Sequence, residues 1–263
     1  MNTTAYSNLT DWIGFPFRDP DWQRKLGIAL VWGLVSAFIP ILPLLALAGY
    51  AARLARRILE AGEQELPLLP GWDDFGDLIL DGLRVTAAML TLVLPLVILV
   101  LMVVGAVFVP VAATTSHSEP TALAVALTIF VVTLLALLAL TLSVVQTLFM
   151  PAAVVHVAKQ SRYAAVFAVK EWMKIWSANP GGFVLSVLLS MVVSGVLGMG
   201  IAWVGASVVL TCLAPLMAGA VSAATTLAQA MLWARAYRMG QDRLAVKVEA
   251  PVPPPSPSEP PEA

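Results

Sequence analysis

Where the basic residues are missing constrains this chain more than any other feature. No Lys or Arg occurs between Arg84 and Lys159, between Lys174 and Arg235, or between Lys25 and Arg53, gaps of 74, 60 and 27 residues. Glu119 is the only acid inside them. A soluble domain cannot leave so much sequence uncharged, because its surface has to face water. A chain threaded through a bilayer can, since each charge at membrane depth costs about 2.5–3.5 kcal/mol. The chain is therefore read as an all-α, multi-pass integral membrane protein. Composition agrees: 59% of residues are apolar and 12% are charged, where soluble domains carry about 25% charged.

Other global features remove function classes. A formal net charge of −1 gives no basic surface for nucleic acid. The stretch MNTTAYSNLTDW has no positive n-region and no short apolar core, and is read as uncleaved. A single cysteine, Cys212, excludes an intramolecular disulfide framework and a cysteine-based zinc site. The last residues, EAPVPPPSPSEPPEA, favour extended polyproline II and cannot build a core. Residues 1–238 are accordingly read as one membrane domain and 239–263 as a disordered tail.

A helix needs about 20 apolar residues to cross a hydrocarbon core of about 30 Å. The longest gap holds two spans, near 86–112 and 121–155, joined by the polar turn TTSHSEP. The next holds two more, near 181–207 and 211–234, joined by a tight turn around Val208–Leu213. Basic residues flank both hairpins, so the positive-inside rule places those flanks and both chain termini in the cytoplasm. The shortest gap fits one span by length. Yet basic clusters stand on both sides of it, and Pro40 and Pro43 break a helix in its middle. A bent pair, 24–39 and 43–60, is favoured, spanning or re-entrant. The alternative is a single span with an external N-terminus, giving five spans instead of six, and only then would the sequons at Asn2 and Asn8 matter. Two interfacial amphipathic helices complete the reading. DDFGDLILDGL puts Asp74, Asp77 and Asp81 on a solvated face, and Tyr163 to Trp176 interleaves aromatics with Lys170 and Lys174.

Candidate sites are few. Ser186, Ser190, Ser194, Gly198, Ala202 and Ala206 recur every four residues, and Ala214, Ala218, Ser222, Thr226, Ala230 and Ala234 repeat the pattern on the next span. Such stripes let two helices pack closely, with a smooth solute or lipid path as the other use. Asp73, Asp74, Asp77 and Asp81 could bind a divalent cation. Capping, solvation or pairing with Arg53, Arg56 and Arg57 explains them more simply, so neither metal nor cofactor is expected. His117 and His156 lie too far apart in depth to share a metal. No nucleotide, hydrolase or metalloprotease motif occurs. Gln146, Gln229 and scattered Ser and Thr are the deepest polar groups. No ionisable residue sits at membrane depth, where coupled transporters keep one.

Three stretches carry a resemblance. Phe17, Asp19, Trp22 and Lys25 form F-x-D-x-x-W-x-x-K, and Gly49, Tyr50, Arg53 and Arg56 form G-Y-x-x-R-x-x-R. Trp72 through Asp77 read W-D-D-F-G-D, followed by Asp81 and Gly82. Together they resemble the prokaryotic membrane family catalogued as domain of unknown function 4013, with an extra proline pair before Trp72 as a departure. The resemblance implies a prokaryotic cell-membrane protein and supplies no activity. The function expected is that of a non-enzymatic protein that organises or binds other membrane components, whether other proteins, lipid or further copies of itself. An uncoupled permease or channel is the alternative, and a membrane enzyme centred on the aspartates comes third.

Overall fold

The computed structural model describes residues 14–61, 67–114, 122–206 and 211–249. Seven α-helices and three short 3-10 turns make up its regular structure, with no strand among the described residues. In chain order the helices are α1 (Trp22–Ser36), α2 (Ile41–Glu60), α3 (Phe75–Thr114), α4 (Ala122–Gln160), α5 (Val169–Ala178), α6 (Pro180–Ala206) and α7 (Ala214–Glu249).

The helix lengths dictate the architecture. At about 1.5 Å per residue, the 40 residues of α3, 39 of α4 and 36 of α7 extend roughly 54–60 Å, far beyond a hydrocarbon core of about 30 Å. One end of each is packed into a dense base, and the other runs out as part of a pair, α3 with α4 and α6 with α7. At the base, Pro151 to Ala158 of α4 are buried without interruption, as befits a helix end that is apolar all round. Tyr50, Leu54, Ile58 and Leu78 pack in one cluster beside it, and Trp172, Phe183 and Tyr237 in another. Away from the base the picture inverts. Leu101, Met102 and Phe108 of α3 and Leu123, Phe130 and Leu134 of α4 are all more than half exposed. The most apolar stretch of α4 has no buried residue at all, and that of α3 only 6%.

Four helices are long and apolar enough to cross a bilayer: α3, α4, α6 and α7. They cover most of the spans expected from the two long charge gaps; the turn expected at 114–120 lies, after Thr114, outside the described residues, and of the turn expected at 208–213 the described part, Thr211–Leu213, is a 3-10 turn. The shortest gap folds as a helical hairpin, with Pro40 as the N-cap of α2 and Pro43 in its first turn, where a missing N–H costs nothing. α1 has only 15 residues, and α2 turns charged at Arg53. Neither joins the four candidate spans. DDFGDLILDGL is not a separate interfacial helix either. It forms the first turns of α3, because nothing between Gly82 and Val85 interrupts the hydrogen-bond ladder. The second amphipathic segment is present as a 3-10 turn, Tyr163–Phe167, followed by α5. α5 turns Trp172 and Ile175 inward and leaves Lys170, Glu171 and Lys174 exposed. Asn179 ends it and caps α6: its side-chain oxygen accepts from the Gly182 N–H and its amide donates to the Ala236 carbonyl. α7 continues through Glu249, so residues 239–249, expected to belong to the tail, are helical.

Candidate functional site

The residues singled out on α1, α2 and the segment before α3 converge on one polar knot at the base. Asp19, just before α1, is 1% exposed. Its carboxylate accepts from Lys25 Nζ at 2.7 Å, from the Leu69 N–H at 2.9 Å and from the Asp21 N–H at 2.8 Å. Burial alone would raise its pKa, but the Lys25 ammonium and the two amides hold it below the ordinary carboxylate value of 3.8. Lys25 also donates to the Leu69 carbonyl, and its own carbonyl accepts from the Trp72 indole at 3.0 Å. The Trp72 ring stacks on Tyr50 at 4.3 Å and 11°. The first motif is therefore a clasp that ties the start of α1 to the 69–72 segment.

The arginines of α2 hold the other end of that segment. Arg53 donates to the carbonyls of Asp73 (2.6 Å) and Asp74 (3.0 Å), and Arg57 to that of Leu69 (3.2 Å). Asp74 adopts φ 54°, a left-handed conformation that Asp tolerates better than most residues, and its carbonyl also accepts the first α3 bond, from Leu78 N. Asp81 is the hub. Its carboxylate pairs with Arg56, with Arg84 at 3.0 Å and with Arg53 at 3.9 Å, and Arg56 reaches on to Ser161 Oγ at the end of α4. α2, α3 and α4 are thereby joined through one carboxylate.

Asp81 corrects the sequence reading, which placed it on a solvated face: it is 7% exposed. Leu78, Asp81, Gly82 and Val85 share the buried face of α3, while Asp73, Asp74 and Asp77 are exposed. A second determinant escaped notice altogether. A Cβ on Gly49 would fall on the Leu78 carbonyl oxygen, and one on Gly82 on that of Leu45, so α2 and α3 cross with backbone against backbone. Both glycines belong to the quoted motifs, and their spacing before Tyr50 and after Asp81 was the available signal. The stripes on α6 and α7 separate more than expected. Ser186 and Ser190 are buried, Ser194, Gly198, Ala214 and Ser222 are half-buried, and Ala218 is exposed. The tightest approach of α7 is to α1, where Gly219 meets Gly33.

Two polar crevices flank the loop at Gly71. One, of about 300 Å³, is lined by Arg53, Arg56, Arg57, Glu60, Asp73 and Asp74; the other, of about 230 Å³, by Asp21, Arg24, Lys25, Trp72 and Asp73. The first is balanced in charge, three guanidiniums against three exposed carboxylates, with Asp81 beneath. Among the described residues, no three His, Cys, Asp or Glu side chains come together as a metal site. Chemically the knot fixes helix ends: Lys25, Arg53 and Arg57 are bonded to carbonyls, and Arg56 and Arg84 to the Asp81 carboxylate. Away from it, the Ser and Thr hydroxyls of the long helices bond to carbonyls one turn back, as at Thr128, Thr141, Thr147, Ser190 and Thr226. Gln229 lines an apolar cavity, and the Gln146 side-chain oxygen is buried with no partner among the described residues.

No curated protein matches this chain, and no solved structure does. A family model described as a protein of unknown function (DUF4013) matches residues 32–206. That is well over half of the sequence, and the chain belongs to this family.

Proposed function

From membership in a family without an assigned activity, we propose that the chain is a non-enzymatic multi-pass membrane protein that binds or organises other membrane components. The observation that carries this reading is the exposure of α3 and α4 beyond the base, with the most apolar stretch of α4 wholly unburied. Helices that contact only one partner helix offer their remaining faces to lipid and to other proteins, where dispersion and weak interhelical bonds drive association. A permease built from one copy would have to enclose a polar path. Here hydroxyls that could line one, such as those of Thr128, Thr141, Thr147, Ser190 and Thr226, are bonded within their own helices, and the outer α3–α4 pair consists of two helices only.

In this reading the base, with its arginines and lysines, lies on the cytoplasmic side of a prokaryotic cell membrane. The tips of the two long hairpins face outward. The α1–α2 hairpin enters the membrane from that side: Phe38, Ile39 and Ile41 at its apex are 62–75% exposed, and α1 extends only about 22 Å.

Site-specific photo-crosslinking from Phe130 and Leu134 in intact membranes tests the proposal. Discrete adducts with one protein, or with a second copy of this chain, support it. Solute flux in proteoliposomes containing the purified protein alone, with no adducts from either position, overturns it in favour of the permease.

A further inference from the structure

The 3-10 turn Tyr163–Phe167 and α5 join the base ends of two candidate spans, α4 and α6. Their charge is one-sided. Lys159, Arg162, Lys170 and Lys174 are all exposed, and none of them makes an ion pair among the described residues. In the polar knot, by contrast, Lys25, Arg53, Arg56 and Arg84 are all paired. Glu171, the single acid between residues 159 and 179, is taken up by Gln160 at 3.1 Å and His156 at 3.2 Å. Four bases are thus left without a counter-ion on one connecting segment.

Apolar side chains stand exposed among these bases, and their depth can be read from α3. The Tyr163 and Thr91 hydroxyls share a hydrogen bond at 2.8 Å. Thr91 lies seven residues past Arg84, the last charged residue of α3, or about 10 Å further along the axis, in a stretch that is already apolar. The Phe167 ring meets Tyr163 edge-on at 5.8 Å and is 62% exposed, with Val169 beside it at 47%. Buried Ala165 and Val166 fix the turn, and the Trp172 indole donates to the Val166 carbonyl at 3.2 Å. Exposed aromatic surface at the level where a span turns apolar, bracketed by bases, fits the boundary between headgroups and acyl chains. We propose that this segment binds anionic phospholipid headgroups, with Phe167 and Val169 entering the acyl boundary and the four bases taking phosphates. A zwitterionic headgroup cancels its own phosphate charge, whereas an anionic one leaves a net charge for each base, worth about a fivefold preference apiece. The surface rests on the membrane setting of the reading above and needs no protein partner.

Nanodiscs of phosphatidylcholine provide the test, doped with a trace lipid that carries a diazirine near its glycerol and is either phosphatidylglycerol or phosphatidylcholine. After illumination, peptides covering 163–169 should carry at least about fivefold more adduct from the anionic probe. The excess should shrink in about 1 M salt, where the screening length falls to about 3 Å. Lys170→Gln with Lys174→Gln should cut it at least about fivefold, whereas Arg24→Gln, which removes an exposed base of α1, should leave it unchanged. All three side chains are exposed, so each variant keeps the fold. Equal labelling by the two probes, an excess that survives the double variant, or no labelling of 163–169 by either would overturn the proposal. Protein adducts from Phe130 and Leu134 are read separately, so failure here is distinguishable from failure of the proposed function.

Discussion

Replacing Asp81 by Ala is the sharpest probe of the polar knot. The substitution leaves Arg53, Arg56 and Arg84 facing a site from which their shared carboxylate has gone. Breaking a buried ion pair by removing one partner costs about 3–5 kcal/mol. Two features lower that figure here. The Arg53 and Arg56 side chains are 18% and 20% exposed and keep other acceptors, the Asp73 and Asp74 carbonyls and Ser161 Oγ. Arg84, at 40%, is too exposed to contribute much. The expected cost is about 2–3 kcal/mol, or roughly 4–12 °C in Tm for a chain of this size. The exposed Asp77→Ala should stay within about 0.5 kcal/mol of the parent. Thermal unfolding of the detergent-solubilised protein, followed by tryptophan fluorescence, reads both. Arg56→Ala and the double variant complete a cycle, in which the pair should be less destabilised than the sum by about 1–3 kcal/mol. If Asp81→Ala melts with Asp77→Ala, or if the cycle is additive, the carboxylate is not the hub described.

The same assay reaches the helix crossing. Gly49→Ala and Gly82→Ala must push α2 and α3 apart and should each cost about 1–3 kcal/mol, whereas Gly105→Ala, with open space around it, should be neutral or stabilising by up to about 1 kcal/mol; equal effects would refute the close crossing. At Asp74, glycine should be tolerated and valine should cost about 1–2 kcal/mol, because only the latter resists a positive φ. Asp19 gives a pH signature. Its pKa is depressed in the folded state, so its contribution is fully present above the unfolded value near 3.8 and is lost as pH falls below it. The Tm difference between the parent and Asp19→Asn should therefore be constant from pH 5 to 7 and close at lower pH; a gap that widens in acid would contradict the assignment.

How much of this was legible depended on the kind of signal. The charge gaps report solvation, a property of each segment on its own, and they located α3, α4, α6 and α7 directly. Helix ends and faces depend on what packs nearby, and there the sequence misled. Asp81 reads as solvated because it lies four residues from exposed Asp77. Its burial is decided by Gly82 beside it, which lets α2 close on that face and bring Arg53 and Arg56 within reach. The start of α3 read as a separate element because its acids suggested a surface helix, while the structure uses the same residues as the charged foot of a long span. The stripes on α6 and α7 show a related limit. Four-residue spacing identifies a face but not its partner, and Gly219 of α7, one position from Ala218, is what meets α1.

The residues that carry the family resemblance therefore have a structural assignment. Asp19, Lys25 and Trp72 clasp the start of α1 to the loop before α3, Gly49 and Gly82 set the α2–α3 crossing, and Arg56 and Asp81 tie that crossing to α4. Most of the polar contacts in the set run to another member or to backbone, while the buried Tyr50 hydroxyl has no partner among the described residues. On the proposed reading, a scaffold fixed at one end holds what projects from it. The parts that project, the outer lengths of α3 and α4, are the least buried of the four candidate spans among the described residues. On that reading, partner choice would lie in apolar surface such as Phe130 and Leu134, and the motif would govern whether that surface is presented at all. Variants of the two regions should fail differently: loss of the Asp81 hub should lower both Tm and adduct yield from Phe130, whereas polar substitution at Leu134 should abolish adducts with Tm unchanged.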